Sequence, residues 1–285
     1  MTLVSPRLWN QSAEGADRDG TSEAADRLTA ELVSQLTART TTARATTDRT
    51  EIDRTTTDRF RRPTTFGAGG SEPYAQALQS DDNVLYLYGH PLDADPGTAA
   101  RISTMHAGRW SAGADAIDRS LLAGVAGPVL DIGCGPGRMI QAAIDEGLDA
   151  LGVDVSPTAV RIAVAAGLAV LHRSVFDDIP LEGTWATLLL VDGNIGIGGD
   201  PDALLDRCVS LLAVDGVLVV EVHRDPEHDL AYESTLQDAA GHTSDAFPWA
   251  EIGVSALRRR AAKVGLVQVA EWTKGERSFA RLARA

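Results

Sequence analysis

Lysine is almost missing from this sequence. Lys263 and Lys274 are the only two, and arginine supplies the rest of the 26 basic residues. Against 40 acidic residues the formal charge is −14. A nucleic-acid surface needs clustered Lys and Arg to meet phosphate, so no nucleic-acid partner is expected. Arg258-Arg259-Arg260 is a lone basic run. Three successive helix positions cannot face one partner, so it reads as a solvated face. Cysteine is as scarce, with only Cys134 and Cys208. Two cysteines make no disulfide framework, which suits a reducing cytosol. No apolar run approaches the roughly 20 residues of a membrane span. The N-terminus lacks the charged and then apolar pattern of a secretory signal. The expectation is a cytoplasmic protein with no membrane partner. The six histidines, at 90, 106, 172, 223, 228 and 242, show no H-x-x-x-H spacing, so no metal is expected. Abundant Ala and Arg fit a GC-rich bacterial coding bias.

From 39 to 59 arginine recurs every fifth residue, at Arg39, Arg44, Arg49, Arg54 and Arg59, between threonines. Five matches neither the helical period of 3.6 nor the strand period of 2. Such a stretch buries too little apolar surface to offset its ordering entropy. Residues 1–70 are therefore expected to be a disordered low-complexity tail, with at most a transient helix near 22–38. Residues 71–127 are expected to be a helical cover or substrate lid. Its aromatic and histidine side chains, Tyr74, Tyr86, Tyr88, His106 and Trp110, either line a substrate pocket or pack the cover.

Residues 128–285 alternate short apolar runs with helical stripes. Pro128–Ile132, Asp149–Asp154, Leu168–Leu171, Thr187–Val191 and Val217–Val222 read as strands. Ser156-Pro157 and Asp200-Pro201 are helix starts, a side-chain cap followed by proline at the first helical position. Leu266–Trp272 and Arg277–Leu282 form a hairpin around Lys274-Gly275. Five alternations predict an α/β fold with a doubly wound, mostly parallel sheet, Rossmann-like, with an antiparallel strand from the terminal hairpin at one edge. Ligands of such sheets bind beyond the carboxyl ends of the strands.

The first of those ends carries Gly133, Gly135 and Gly137. A dinucleotide fingerprint, G-x-G-x-x-G, needs its third glycine one place later, where Arg138 stands. Asp154 closes the second strand, where an acid can accept hydrogen bonds from ribose hydroxyls. The glycine-rich 193–199 stretch is either a flexible loop that admits substrate or a tight strand-to-helix turn. It lacks the Gly-Lys-Ser/Thr of a phosphate loop.

VLDIGCGPGR followed by LGVDVSP resembles the class I S-adenosylmethionine-dependent methyltransferases of bacterial type, over roughly 110–285. The resemblance implies a seven-stranded sheet and S-adenosylmethionine as cofactor. It implies that Asp131 lies against the methionine part, and that Gly133, Cys134, Gly135 and Gly137 let the backbone pass under it. Asp154 would take the ribose and Val155 the adenine face. Val175 and Phe176 would meet adenine from the third strand. Many members have Asp where Ser174 stands, so the adenine amino contact falls to Asp177 or to backbone. The segment after the fourth strand, Asp192 to Gly199 with Asn194 and Ile197 in it, would close on the cofactor and face the acceptor. Asp192 and His223, each at a central strand end, are the geometric candidates for a catalytic base, beside a merely structural role. The acceptor is expected to be a small molecule. The alternatives are an NAD-dependent oxidoreductase and a non-catalytic nucleoside-binding protein of the same fold. Nothing in the sequence specifies an oligomeric state.

Overall fold

The structure, a computed structural model, describes residues 18–43, 66–67, 73–80, 84–91 and 100–285. In chain order the elements are α1 (Arg18–Ala43), α2 (Pro73–Ala77), β1 (Val84–Pro91), β2 (Ala100–His106), α3 (Ala107–Ser111), α4 (Ala116–Leu121), β3 (Val129–Ile132), α5 (Arg138–Asp145), β4 (Ala150–Asp154), α6 (Pro157–Ala165), β5 (Val170–His172), β6 (Trp185–Leu190), α7 (Pro201–Leu211), β7 (Leu212–Val222), β8 (Asp229–Asp238), β9 (Phe247–Ile252), α8 (Val254–Lys263), β10 (Leu266–Lys274) and β11 (Arg277–Arg284). A 3-10 turn, Asn194–Gly199, links β6 to α7.

Seven strands form one sheet in the order β10-β11-β7-β6-β3-β4-β5. β7, β6, β3, β4 and β5 pair in parallel. β11 runs antiparallel to both β7 and β10. The antiparallel strand therefore sits one place in from the edge expected for it, and β10 is the edge. The central strands are apolar throughout because both faces are covered. Along β3, Leu130 and Ile132 point to the α7 and α8 side, while Val129 packs with α4, α5 and α6. Ser156 and Asp200 cap their helices through side-chain oxygens as the sequence predicts, each followed by proline.

Two expectations fail. Helix α1 occupies 18–43, over the 22–38 stretch where the sequence predicts only a transient helix in a disordered tail. It packs against α6 and β5. Ala25 and Leu36 are buried, in the two different core clusters, with Leu28 and Leu32 packed beside them. Positions 25, 28, 32 and 36 make a helical stripe that lies before the Thr/Arg repeat. The helix covers the exposed edge of β5, and Thr29 Oγ1 donates to the Val170 carbonyl at 3.5 Å. The repeat from 44 to 59 and the Gly69-Gly70 boundary lie outside the described residues.

The second failure is the cover. It holds the short helices α2, α3 and α4 but also two strands: β1 and β2 join β8 and β9 in a four-stranded antiparallel sheet of order β2-β1-β8-β9. Buried Leu85 and Leu87 alternate with the half-buried Tyr86 and Tyr88, the period of a strand with one face inward. The partner strand β8 lies about 150 residues downstream, between β7 and α8, which no local reading of 71–127 reveals. No helix among the described residues is long and apolar enough to cross a membrane.

Candidate active site

A cavity opens at the carboxyl ends of β3, β4, β5 and β6, beneath the cover sheet. Its floor is the turn from β3 into α5. Gly133 and Cys134 both donate backbone N–H groups to the Val153 carbonyl, at 2.8 and 3.2 Å, which ties the turn to β4. Gly137 has φ +94°, and a Cβ there would collide with Leu168 of the neighbouring strand entry. Glycine is thus required by both conformation and space.

Asp154 holds the turn from the side. One carboxylate oxygen accepts the Gly135 N–H at 2.7 Å and the other accepts the Ser156 N–H at 2.8 Å. Burial raises its pKa, and those N–H donors pull it back without cancelling the rise. Asp131 is buried at the end of β3. Burial pushes its carboxyl up to about 7; Arg138 opposes that and the charges on Asp192 and Asp154 reinforce it. It is an acid short of cationic company.

Beside it stands an ion network that the sequence does not reveal. Arg138, nearly buried, pairs with Asp118 of α4 and Asp192 after β6. Arg277 of β11 pairs with Asp118 at 2.7 Å, with Glu221 of β7 at 2.6 Å and with Asp192 at 3.4 Å. Arg109 adds Asp118 at 3.5 Å and Asp192 at 3.7 Å. Asp192 adopts φ +57°, and its N–H donates to Glu221 at 2.7 Å. Burial raises the pKa of Asp192 while Arg138, Arg109 and Arg277 pull it down, leaving it raised. Its carboxylate lines the cavity but is held by guanidinium groups, a poor posture for a base that must swing toward an acceptor proton.

The cavity gathers Asp131, Gly133, Cys134, Gly135, Asp154, Val155, Val175 and Asp192 from the sequence-derived site. Gly137 shapes the turn without lining it. Phe176 lies outside, 45% exposed, with its ring over Gly198. Asp177 turns back on its own loop, accepting the Ser174 N–H at 3.1 Å. His223 also lies outside the cavity lining. Its Nδ1 accepts the Asp225 N–H at 3.1 Å and its ring stacks on His228 at 3.9 Å. His223, His228 and Glu251 bring possible metal-ligand atoms within 4.8 Å of one another. This grouping is tertiary, so spacing could not show it. Within it the His228 Nε2 lies 3.5 Å from a Glu251 carboxylate oxygen. Of the proposed pocket residues in the cover, Tyr74 and Trp110 line the cavity, and Tyr86, Tyr88 and His106 do not. The stretch after the fourth strand, expected at the site, supplies Asn194 and Ile197 to the lining, whereas sequence reasoning missed Phe66, Met105, Arg138 and Trp249. Phe66 fell within the supposed tail, and Trp249 lies in a stretch with no motif.

The 193–199 stretch is the tight turn of its two readings. A Cβ on Gly196 would strike the Ala250 carbonyl and the Trp249 indole, and one on Gly199 would meet Pro248 at 2.7 Å. Its glycines let β9 of the cover lie directly on the turn.

The sequence matches the methyltransferase domain family over residues 107–270, more than half of the chain. The chain belongs to that family. Membership agrees with the fold and reaction class implied by the glycine turn, and it sets aside the oxidoreductase alternative. Among solved structures, a SAM-dependent methyltransferase from Bacteroides fragilis in complex with S-adenosyl-L-homocysteine is similar at 21% identity. That match has a TM-score of 0.61 and covers 75% of this chain and 95% of that one. The 1,6-didemethyltoxoflavin-N1-methyltransferase of Burkholderia thailandensis is similar at 18% identity, with a TM-score of 0.46 and coverage of 63% and 83%. The CcbJ methyltransferase from Streptomyces caelestis gives 15%, 0.47, 62% and 92%. Among curated proteins none matches the sequence.

Proposed function

We propose that this methyltransferase acts on a small-molecule acceptor, with Asp131, the 133–137 turn, Asp154, Val155 and Val175 holding the donor. The donor is S-adenosylmethionine. The observation that carries the site assignment is Asp154: its carboxylate fixes the Gly135 N–H and still lines the cavity at the end of β4. An acid so placed accepts hydrogen bonds from ribose hydroxyls.

The remaining residues fit the donor's zwitterionic end. Asp131 suits an ammonium. Arg138 lines the cavity, and its Nε is buried without a hydrogen-bond partner among the described residues, which suits a carboxylate. When bound, the donor supplies a sulfonium methyl group already activated for in-line displacement. The chain's own contribution is to orient the acceptor and exclude water under the cover sheet. Asp192, ion-paired as it is, orients Arg138.

Asp154→Ala tests the assignment. Calorimetry with S-adenosylhomocysteine should show a marked loss of affinity, and unchanged affinity would remove Asp154 from the donor site. Release of S-adenosylhomocysteine on adding a cell extract separates an active enzyme from a protein that only binds nucleosides.

A further inference from the structure

The cover-sheet end of the cavity has an aromatic wall, which meets the donor floor where the Tyr74 hydroxyl lies 3.3 Å from the place a Cβ on Gly135 would take. Phe66, Tyr74, Met105, Trp110, Ile197 and Trp249 line that end. The four rings form one connected cluster. Phe66 lies 5.0 Å from Tyr74 and 5.4 Å from Trp249, and Tyr74 lies 5.6 Å from Trp110. Rings at these separations in tilted and edge-on poses brace one another. Tyr74 and Trp249 are buried and Phe66 and Trp110 half-buried, so the wall is preformed.

Charge and hydrogen-bonding capacity narrow what this wall can receive. The described cations that line the cavity are Arg138 and Arg173. Arg138 is engaged by Asp118 and Asp192, and its remaining Nε faces the donor's carboxylate in the reading above. Arg173 follows β5, three strands from β6 in the sheet order, and donates to the Asp178 carbonyl at 2.7 Å. Facing an anionic acceptor would be Asp131 and Asp192. A polyol fares no better. Asn194 spends its amide N–H groups on the Ile132 and Gly133 carbonyls, each at 2.9 Å. The Asp192 carboxylate is spent on Arg138 and Arg277. The Asn194 Oδ1 is left to accept, but a polyol with several hydroxyl groups buried there would regain fewer partners than it loses, at about 1–3 kcal/mol for each group left unpaired.

We propose that the acceptor is a flat, uncharged aromatic or heteroaromatic small molecule, stacked against the Phe66–Tyr74–Trp110–Trp249 wall and methylated at a heteroatom on its ring edge. This rests on the methyl-transfer reading above. The new bond joins that heteroatom to the methyl carbon. The sulfur–methyl bond breaks with its electron pair left on sulfur, and the heteroatom's proton leaves to solvent.

The test is calorimetry on the full chain saturated with S-adenosylhomocysteine. The probes are 2-naphthol, 4-hydroxyquinoline, 1-naphthyl phosphate and glucosamine. The neutral bicyclic rings should bind at least about tenfold more tightly than the phosphate or the sugar. Trp110→Ala should weaken the ring probes by about tenfold, with S-adenosylhomocysteine affinity unmoved, and Trp110→Phe should restore most of the loss. Tighter binding of the phosphate or the sugar overturns the proposal. So does failure of both neutral rings to bind while S-adenosylhomocysteine still does. The wild-type comparison decides even if the Trp110 variants fail to fold. Failure of S-adenosylhomocysteine itself to bind would instead overturn the donor-site reading, so the two failures are distinct.

Discussion

Asn194 donates to two consecutive carbonyls of the glycine turn, those of Ile132 and Gly133, at 2.9 Å each. The contact is close enough that a Cβ on Gly133 would come within 2.7 Å of the Asn194 Nδ2. Asn194 also opens the 3-10 turn on which β9 rests. One side chain thus joins the donor floor to the cover. Two neutral hydrogen bonds of this kind contribute about 2 kcal/mol together. Asn194→Ala should therefore weaken S-adenosylhomocysteine binding by roughly tenfold to thirtyfold in calorimetry. Asn194→Asp, which keeps the shape and loses the donors, should do the same. Native affinity in either variant would show that the glycine turn holds its shape unaided.

Asp131 makes donor binding depend on pH. Its carboxyl, pushed up to about 7 by burial and by the charges on Asp192 and Asp154 against the pull of Arg138, is protonated in mildly acidic solution. An ammonium placed against it favours the ionised form. Affinity for S-adenosylhomocysteine should rise by about tenfold per pH unit from pH 5.5 to 7 and level off above. The unliganded protein responds in the opposite sense. The folded state binds this proton more tightly than the unfolded chain, so stability from the group is complete below the ordinary carboxylate range. It is lost as pH rises through 7. Asp131→Asn should flatten both profiles, and calorimetry with thermal melts at pH 5.5, 6.5 and 7.5 checks them.

The glycine turn, Asp131 and Asp154 were legible because their chemistry is local: strand, turn, helix, then an acid one strand on. The five central strands were legible because sheets covered on both faces are apolar without interruption. What escaped depends on tertiary partners. The cover pairs β1 with β8 across about 150 residues. Arg138 looked like the residue that breaks a dinucleotide motif, and only the fold brings it to Asp118 and Asp192. His223 sits at a strand end as foreseen, but the strand delivers it to His228 and outside the cavity lining. The glycines at 196 and 199 left a flexible loop and a tight turn both open, and only the position of β9 against them shows the close packing.

Asp118 anchors the ion network and should set the acid limit of the fold. Burial opposes its charge, yet hydrogen bonds from Arg138 and Arg277 outweigh that and hold it at about 2. A carboxylate depressed in the folded state contributes stability above its ordinary value of 3.8, and the contribution is lost as pH falls toward 2. The shift corresponds to about 2 kcal/mol. Asp118→Asn should cost at least that at pH 7, since it leaves Arg138 and Arg277 with a carboxylate fewer. Urea unfolding at pH 7 and pH 3 should show the variant's deficit shrinking at the lower pH. A deficit equal at both values would mean that packing around α4, not charge, holds Asp118 in place.

Gly196 carries the seat of the cover sheet, and it can be tested against a glycine with nothing near it. A methyl group on Gly196 would run into the Ala250 carbonyl and come within 2.8 Å of the Trp249 indole. Neither is the loose end of a flexible side chain, so β9 must shift. On Gly113 the same methyl meets nothing within 4 Å. Gly196→Ala should cost about 1–3 kcal/mol, the usual range for overpacking, while Gly113→Ala should be near neutral. The shift should also reach the site, because Trp249 lines the cavity and packs on Phe66 at 5.4 Å. Gly196→Ala should therefore move tryptophan emission and weaken ring probes more than it weakens S-adenosylhomocysteine, whose floor is the turn after β3. If both ligands weaken equally, the cover and the donor floor move as one body, and Asn194 is the link through which they do so.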